Sequence, residues 1–353
     1  MSKVTKAAAA STILISSVLL SGCGLFGGEE KNKIDPPKTT SYDMKNEAQI
    51  EKNDNAGAKE EGEVKGVKTE LYLIDKNGYV VPQTLVLPKA EAVAKQALEY
   101  LVQNGPVTEV LPNGFRAVIP ADTQVDLSVK EGVATVDFSP EFKEYKKEDE
   151  MKILQSITWT LTQFDSIQKV KLKMNGKELK EMPVNGTPIQ ETLTRADGIN
   201  LDTSNVSDIT NTKPLTVYYI GGDEGTYYYV PVTRRVSENQ DDNVTAAVQE
   251  LIKGPSHSSK LLSDFMPDLQ LLSTPVVAKG KVTLNFNESI LGSFKEKKVS
   301  QNVLDALVLS LTEQKGIDSV EVQVNGSTKL LNEDGKPLSE PVTRPEKVNT
   351  GSF

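Results

Sequence analysis

The hydrophobic pattern of residues 69–195 changes repeatedly between the period of a strand and that of a helix. Apolar residues alternate, or form short runs, in five predicted strands: 70–74, 79–87, 125–129, 133–138 and 170–174. They recur three or four residues apart in two predicted helices: 90–103 and 148–164. Asn-Gly and Glu-Gly pairs beside these strands predict tight turns. The predicted order is ββαββαβ, and Pro82 marks the second strand as an edge strand or the site of a bulge.

The same order of elements recurs in residues 214–344. Four landmarks repeat at nearly one spacing: Pro106 and Pro255 are 149 residues apart, Phe138 and Phe286 148, Gly176 and Gly326 150, and Arg195 and Arg344 149. The predicted elements of the second copy are strands at 215–220, 227–232 and 320–324, a hairpin through Lys279-Gly280, and helices at 242–253 and 300–315. Ordered matches at a fixed spacing are typical of a duplicated unit.

The first 23 residues have the pattern of an export signal. Lys3 and Lys6 precede an uncharged apolar run, residues 7–20, which is shorter than the roughly 20 residues that a membrane-spanning helix needs. Two small residues and then Cys23, the only cysteine, follow this run. The sequence Leu-Ser-Gly-Cys resembles the lipobox of bacterial lipoproteins, in which the thiol carries diacylglycerol and cleavage falls just before it. We expect Cys23 to be the lipid attachment residue, since two acyl chains anchor a protein stably.

Residues 25–68 have the composition of a spacer. They are charged, interrupted by Gly and Pro, and poor in large apolar side chains. Such a segment cannot bury enough surface to offset the entropy lost on ordering, so we expect disorder. About 40 flexible residues have an r.m.s. reach of roughly 35 Å. The spacer is therefore expected to hold the folded part away from the membrane surface.

These patterns predict an α+β protein in which two tandem helix-on-sheet modules, each with a mixed sheet, follow a disordered spacer. The expected segments are a signal peptide (1–22), a lipidated N-terminus with spacer (23–68), the first module (69–195), a linker (196–213), the second module (214–344) and a frayed tail (345–353).

The sequence offers little material for a catalytic, metal or cofactor site. His257, the only histidine, lies in a polar loop after a predicted helix, where a solvated side chain is expected. Gly221-Gly222-Asp223 lies between two predicted strands, which favours a hairpin turn over a phosphate-binding loop. A G-x-S-x-G nucleophile motif is absent from the sequence. We therefore expect no enzyme activity, no metal and no cofactor.

One pair of polar residues flanks the end of a predicted strand in each copy. The first copy has Asp137 and Ser139 there, and the second copy has Asn285 and Asn287. Carboxylate chemistry would therefore be absent from the second copy. This difference favours a structural role for the pair, such as capping a turn.

The formal net charge of −9 makes nucleic acid an unexpected partner. Removal of residues 1–22 takes away Lys3 and Lys6 and makes the charge −11. An anionic lipid surface would mildly repel such a chain, so a lipid anchor would be its means of attachment.

A group of tyrosines lies on the first two predicted strands of the second copy. Its members are Tyr218, Tyr219, Tyr227, Tyr228 and Tyr229. Alternation along two paired strands favours cross-strand packing within a hairpin. The alternative is a platform for a ligand or peptide.

Two stretches of the first copy carry a family resemblance. "ALEYLVQNGP" and "FRAVIPADTQVDLSVKEGVATVDFS" resemble the GerMN domain of sporulation and germination proteins, and "AVQELIKGP" with "FMPDLQLLSTPVVAKGKVTLNFN" matches it more loosely. The resemblance covers nearly all of residues 69–344. It implies a fold similar to the ring-building motif of secretion machines, with no catalytic motif, and leaves open a homo-oligomer or ring.

The resemblance also implies a location and partners. Such proteins are anchored in the outer forespore membrane and face the space between the two membranes. There they support a trans-envelope channel that includes the stage III A and stage II Q sporulation proteins. Our leading hypothesis is thus a non-enzymatic assembly protein of sporulation and later germination. The alternatives are an extracytoplasmic lipoprotein that binds a ligand or regulates a sensor kinase, and a wall-lytic enzyme.

Overall fold

The computed structural model describes residues 66–350, except 205, 207, 208, 224 and 239–241. The predicted signal peptide, Cys23 and nearly all of the predicted spacer lie outside the described residues. Among the described residues, no helix combines the length and apolar character needed to span a bilayer.

The described part of the first copy contains seven strands and two α-helices. The strands are β1 (Gly66–Asp75), β2 (Val80–Pro88), β3 (Phe115–Arg116), β4 (Val125–Lys130), β5 (Val133–Phe138), β6 (Lys169–Met174) and β7 (Lys177–Glu178). The helices are α1 (Val93–Glu99) and α2 (Glu150–Leu161). Short 3-10 turns occupy Pro106–Glu109, Pro140–Lys143, Lys147–Asp149 and Arg195–Asp197.

The described part of the second copy contains eight strands and two α-helices. The strands are β8 (Thr212–Asp223), β9 (Thr226–Ser237), β10 (Val276–Ala278), β11 (Lys281–Phe286), β12 (Leu291–Ser293), β13 (Lys298–Val299), β14 (Ser319–Val324) and β15 (Val342–Thr343). The helices are α3 (Asn243–Lys253) and α4 (Gln301–Thr312), and one 3-10 turn covers Glu288–Ile290. The predicted order ββαββαβ is confirmed in both copies, with additional elements: the short strands β3, β7 and β15 and the hairpin β12–β13.

Each copy contains a four-stranded mixed sheet and a long hairpin that forms a sheet of its own. The mixed sheets have the orders β4-β5-β6-β7 and β10-β11-β14-β15. Within them β5 pairs parallel with β6, and β11 pairs parallel with β14. Parallel neighbours need a crossover connection, and α2 and α4 provide it. The hairpin sheets have the orders β2-β1-β3 and β8-β9, so β2 is the edge strand that Pro82 predicts.

Helices α2 and α4 join the two sheets of each copy into one core. In the first copy α2 lies against β1, where the Thr160 hydroxyl accepts a hydrogen bond from the Tyr72 backbone N–H at 3.1 Å. In the second copy the Ser310 hydroxyl accepts one from the Tyr218 backbone N–H at 2.8 Å. Trp159 on α2 is fully buried. Most buried apolar residues of both copies form one continuous cluster, and Tyr218, Leu309 and Val348 form a small second one.

Two predictions from the sequence are wrong in extent. The helix predicted over 90–103 is confined to Val93–Glu99, because Leu101 and Gln103 form backbone hydrogen bonds with residues 118–119 instead of continuing the helix. The tail at 345–353 is not frayed where it is described. Val348 and Asn349 are buried at 2 % and 9 % exposure, because they bond to β2 of the first copy.

Gln83 on β2 is a buried polar side chain whose burial is not offset by hydrogen bonds among the described residues. It is fully buried, and neither its amide nitrogen nor its amide oxygen has a hydrogen-bond partner among the described residues. Val232 lies 149 residues later in the second copy, where it is buried too. An unpaired buried amide destabilises the folded state, and the second copy avoids this by placing an apolar side chain there.

We predict that Gln83→Val stabilises the protein by about 1 kcal/mol, because it removes two unsatisfied polar atoms. The measurement is urea denaturation of the full chain. Gln163→Val is the control, since the Gln163 amide accepts from the Glu70 N–H at 2.9 Å and donates to the Glu70 carbonyl at 2.6 Å. The control should be less stable than the wild type. A Gln83→Val protein that is no more stable than the wild type would contradict the prediction.

Candidate functional site at the seam between the two copies

The polar residues that the sequence suggests for chemistry are either solvated or structural. His257 is exposed in its loop. Both carboxylate oxygens of Asp137 accept from the Gly176 N–H at 3.0 Å, and the amide oxygen of Asn285 accepts from the Gly326 N–H at 2.8 Å. Asp137 and Asn285 therefore cap equivalent turns in the two copies, which confirms the structural role that the sequence favours.

Ser139 and Asn287 also have matching roles. The Ser139 hydroxyl accepts from the Gln124 N–H at 2.9 Å, and the Asn287 amide oxygen accepts from the Gln270 N–H at 3.1 Å. The predicted hairpin is present, but its turn follows Asp223. Gly222 lies near the end of β8, where it pairs with Tyr227, and its φ of 98° is a left-handed backbone that glycine tolerates without strain. The described residues contain no group of three or more His, Cys, Asp and Glu side chains placed to hold a metal ion.

The tyrosine group is packed into the hairpin and its neighbours. Tyr218, Tyr219 and Tyr228 are at most 4 % exposed, whereas Tyr227 is 45 % exposed. The Tyr228 hydroxyl donates to Asp75 in the first copy at 2.7 Å.

The hydroxyls of Tyr219 and Tyr229 also have partners within the protein. That of Tyr219 donates to the Glu250 carbonyl at 2.8 Å, and that of Tyr229 donates to the Asp305 carboxylate at 3.0 Å. The narrow space that Tyr218 and Tyr219 share with Phe265 admits no water molecule. Tyr219 also borders a larger cavity of about 620 Å³, beside Asn200 and Asp202. The burial and hydroxyl contacts of the group support cross-strand packing.

A set of polar contacts lies where the two copies meet. We call this region the seam: the facing strands β2 and β9, together with segments 199–202 and 348–349. Segment 199–202 follows the first copy and bonds to β9 of the second. Segment 348–349 follows the second copy and bonds to β2 of the first. Each copy is thus held by the chain segment that leaves the other.

Segments 199–202 and 348–349 form equivalent hydrogen bonds, each with one threonine of the opposite copy. The Thr233 N–H donates to the Ile199 carbonyl at 2.8 Å, and the Thr233 hydroxyl accepts from the Ile199 N–H at 2.9 Å. The Thr84 N–H donates to the Val348 carbonyl at 3.0 Å, and the Thr84 hydroxyl accepts from the Val348 N–H at 2.8 Å. Both pairs of equivalent residues are 149 positions apart, so the seam repeats the spacing of the duplication.

Asn200 bridges the two hairpins through its side-chain amide. The Asn200 oxygen accepts from the Val80 N–H at 2.8 Å. Its nitrogen donates to the Val80 carbonyl and to the Pro231 carbonyl, both at 2.7 Å. One amide therefore satisfies backbone groups of β2 in the first copy and of β9 in the second.

Asn349 repeats this bridge with the copies exchanged. Its oxygen accepts from the Tyr229 N–H at 2.7 Å, and its nitrogen donates to the carbonyls of Tyr229 and Pro82 at 2.8 Å each. Asn200 and Asn349 have positive φ values of 46° and 55°, a conformation that asparagine tolerates better than most residues. Their partners Val80 and Tyr229 are also 149 positions apart, which gives the seam an approximate twofold symmetry.

Two arginines from the two copies converge on one carboxylate beside the seam. Arg195 ends the first copy, and its guanidinium donates to Glu313 at the end of α4 at 2.5 Å. Arg344 ends the second copy and lies 3.7 Å from Glu313 and 3.7 Å from Glu70 on β1. The Glu313 side chain is only 10 % exposed. Arg195 therefore pairs with an acid of the second copy, and Arg344 reaches an acid of the first.

The arginines set the charge state of Glu313. Burial by itself would raise the pKa of its carboxyl, but the charges of Arg195 and Arg344 outweigh burial and hold that pKa below its ordinary value. The stabilisation is present above the ordinary glutamate pKa and is lost as pH falls through the lowered one. Aromatic rings hold both guanidiniums: Arg195 lies 4.4 Å from the ring centroid of Trp159, and Arg344 5.5 Å from that of Tyr218.

Sequence reasoning missed most of the seam. In the sequence, Arg195 and Arg344 serve only as landmarks of the repeat. Asn200 falls within the predicted linker, and Asn349 falls within the predicted tail. The repeat spacing of 149 residues does connect Asn200 with Asn349. Extending the comparison of the copies past the two arginines would have revealed that pair.

These contacts define a class of protein: a tandem α+β protein whose two copies are joined by a partly buried polar seam. A family model described as "Germane: Sporulation and spore germination" matches residues 70–180 and 216–330, one match in each copy. The chain belongs to this family, and the resemblance noted in the sequence is confirmed.

Two relatives agree with this assignment. The chain is 56 % identical to the spore germination protein GerM of Bacillus subtilis (strain 168), over 100 % of both chains. It is also similar to a solved structure of the tandem GerMN domains of the sporulation protein GerM from Bacillus subtilis, with 61 % identity, a TM-score of 0.76, and coverage of 80 % of this chain and 100 % of that one. These matches imply a role in sporulation and germination, in a family that is not one of enzymes.

We predict that Asn200→Ala and Asn349→Ala each lower the free energy of unfolding by about 2 kcal/mol, because each leaves buried backbone groups of both copies unpaired. The double variant should replace a single urea transition with two, since the copies would then unfold separately. The measurement is urea denaturation followed by far-ultraviolet circular dichroism.

Asn175→Ala is the matched control for the seam variants. Asn175 also has a positive φ, of 51°, but lies in an exposed turn away from the seam. The Asn175→Ala variant measures the free-energy cost of placing alanine in that backbone conformation. A double variant that unfolds like the control, in one transition, would contradict the role of the two amides.

Proposed function

We propose that this protein is a non-enzymatic lipoprotein that supports assembly of the trans-envelope channel between mother cell and forespore, and thereby later germination. The observation that carries the proposal is the seam, because it fixes two copies of one module in a single orientation. The side-chain amides of Asn200 and Asn349 and the pair between Arg195 and Glu313 serve that purpose. Such a body is suited to presenting surfaces to other proteins.

The mixed sheets provide surfaces for partners. Among the described residues, β4 and β10 each pair with one strand only and so form a sheet edge in each copy. An edge strand presents backbone donors and acceptors that a partner strand can use. We propose that the stage III A and stage II Q proteins of the channel are the partners, and that oligomerisation of this chain would use the same edges.

The membrane anchor is the second part of the proposal. Acylated Cys23 would hold the chain on the extracytoplasmic face of the outer forespore membrane, facing the intermembrane space. The spacer would give the modules a reach of roughly 35 Å from that surface. The packed tyrosines give no support to the alternative of a ligand-binding or kinase-regulating lipoprotein.

We predict that Cys23→Ala leaves the signal uncleaved or releases the chain from the membrane, since alanine has no thiol to accept the diacylglyceryl group. Membrane fractionation and intact mass spectrometry measure both outcomes. Ser21→Ala, which keeps a small residue in the same motif, is the control and should be processed normally. An unchanged mass and membrane fraction for Cys23→Ala would rule out acylation at this position.

We predict that a deletion strain of the spore-forming host assembles fewer channels and yields fewer normal spores. The wild-type gene should restore both, and the Asn200→Ala/Asn349→Ala gene should not, if copy orientation matters. Crosslinking in sporulating cells should capture channel proteins with the wild-type chain. Normal spores and normal channel assembly in the deletion strain would refute the proposed function.

A further inference from the structure

The tip of the β12–β13 hairpin exposes an aromatic side chain among lysines. Phe294 is 64 % exposed, and Lys295 and Lys297 beside it are exposed too. Lys298 lies in the same hairpin and pairs with Glu296 at 2.7 Å. The tip therefore combines one solvated aromatic ring with two lysine charges that the paired glutamate does not offset.

The equivalent aromatic residue of the first copy is partly buried and packs against the core. Tyr145 lies 149 positions before Phe294. Its ring packs 5.9 Å from that of Phe142, and its hydroxyl donates to Glu150 at 2.8 Å. The second copy has Val299 at the position of Glu150, so it lacks both the hydroxyl and the carboxylate of this contact. The packing that retains Tyr145 thus has no counterpart at Phe294.

We propose that this tip is a membrane contact: Phe294 inserts into the interface of an anionic lipid leaflet while Lys295 and Lys297 bind lipid phosphates. An aromatic residue flanked by lysines suits the boundary between headgroups and acyl chains. The whole chain is acidic, with a net charge of −9, so the body would be repelled and the local charge of the tip would decide which end approaches the membrane.

A lipid surface fits the tip better than a protein partner does. A stable protein interface buries roughly 800 Å² on each side, and a single projecting ring supplies little of that area. A bilayer needs no complementary pocket. A tethered chain also meets its own membrane at a high effective concentration, so a weak contact is sufficient. The inference rests on the tethering part of the proposed function and is independent of the channel.

The test places a tryptophan at the tip of the membrane-bound chain. The full chain carrying Phe294→Trp is coupled through Cys23, its only cysteine, to a maleimide phospholipid in vesicles that contain brominated lipid. Fluorescence quenching reports insertion, and Trp159 contributes a constant background because it is buried. The charges of Lys295 and Lys297 should favour phosphatidylglycerol over phosphatidylcholine vesicles by at most roughly thirtyfold at low salt, at about 1 kcal/mol for each lysine.

The controls separate tip insertion from simple proximity. Val276→Trp, at a site 61 % exposed in the same copy, should show little quenching in either vesicle. Adding Lys295→Glu and Lys297→Glu to the Phe294→Trp chain should abolish its quenching in phosphatidylglycerol vesicles. Equal quenching of the Phe294→Trp and Val276→Trp chains would overturn the proposal, as would quenching independent of lipid charge. Chemical coupling makes this result independent of whether cells acylate Cys23, so the two proposals fail separately.

Discussion

The structure depends on the contact between β2 and β9, two edge strands that each contain a proline. β2 and β9 face each other at the seam, and Pro82 and Pro231 have no backbone N–H to contribute to a ladder. The carbonyls of these prolines must still be satisfied, because they lie in a buried contact. Asn200 and Asn349 supply the missing donors from outside both strands. The seam is therefore built from side-chain amides in place of a continuous sheet.

This solution makes the two copies depend on each other. Each asparagine belongs to the segment that leaves one copy and bridges the hairpins of both. Arg195 and Arg344 add charge to the same arrangement, since each pairs with an acid of the opposite copy. A change in the angle between the copies would break several contacts together. Several contacts shared by the two copies thus fix their orientation.

The sequence predicts the parts of this structure that local pattern determines. Turn residues place the hairpins, and apolar spacing places α2 and α4. The end of α1 escapes prediction because Leu101 and Gln103 satisfy their backbone groups with distant residues 118–119. The seam is not predicted from the sequence for the same reason. Asn200 and Asn349 lie in polar segments, and contacts with the opposite copy bury them. Long-range partners, which no local window contains, decide these features.

Comparison of the two copies separates structure from function more sharply than either copy does alone. Asp137 and Asn285 differ in charge, yet both accept a hydrogen bond from the glycine of an equivalent turn. The charge at this position is therefore dispensable, which argues against carboxylate chemistry there. Tyr145 and Phe294 are both aromatic, yet one is packed and the other is exposed. A difference that preserves a contact indicates a structural role, whereas the exposure of Phe294 beside two lysines shows that the second copy has lost the packing of the first.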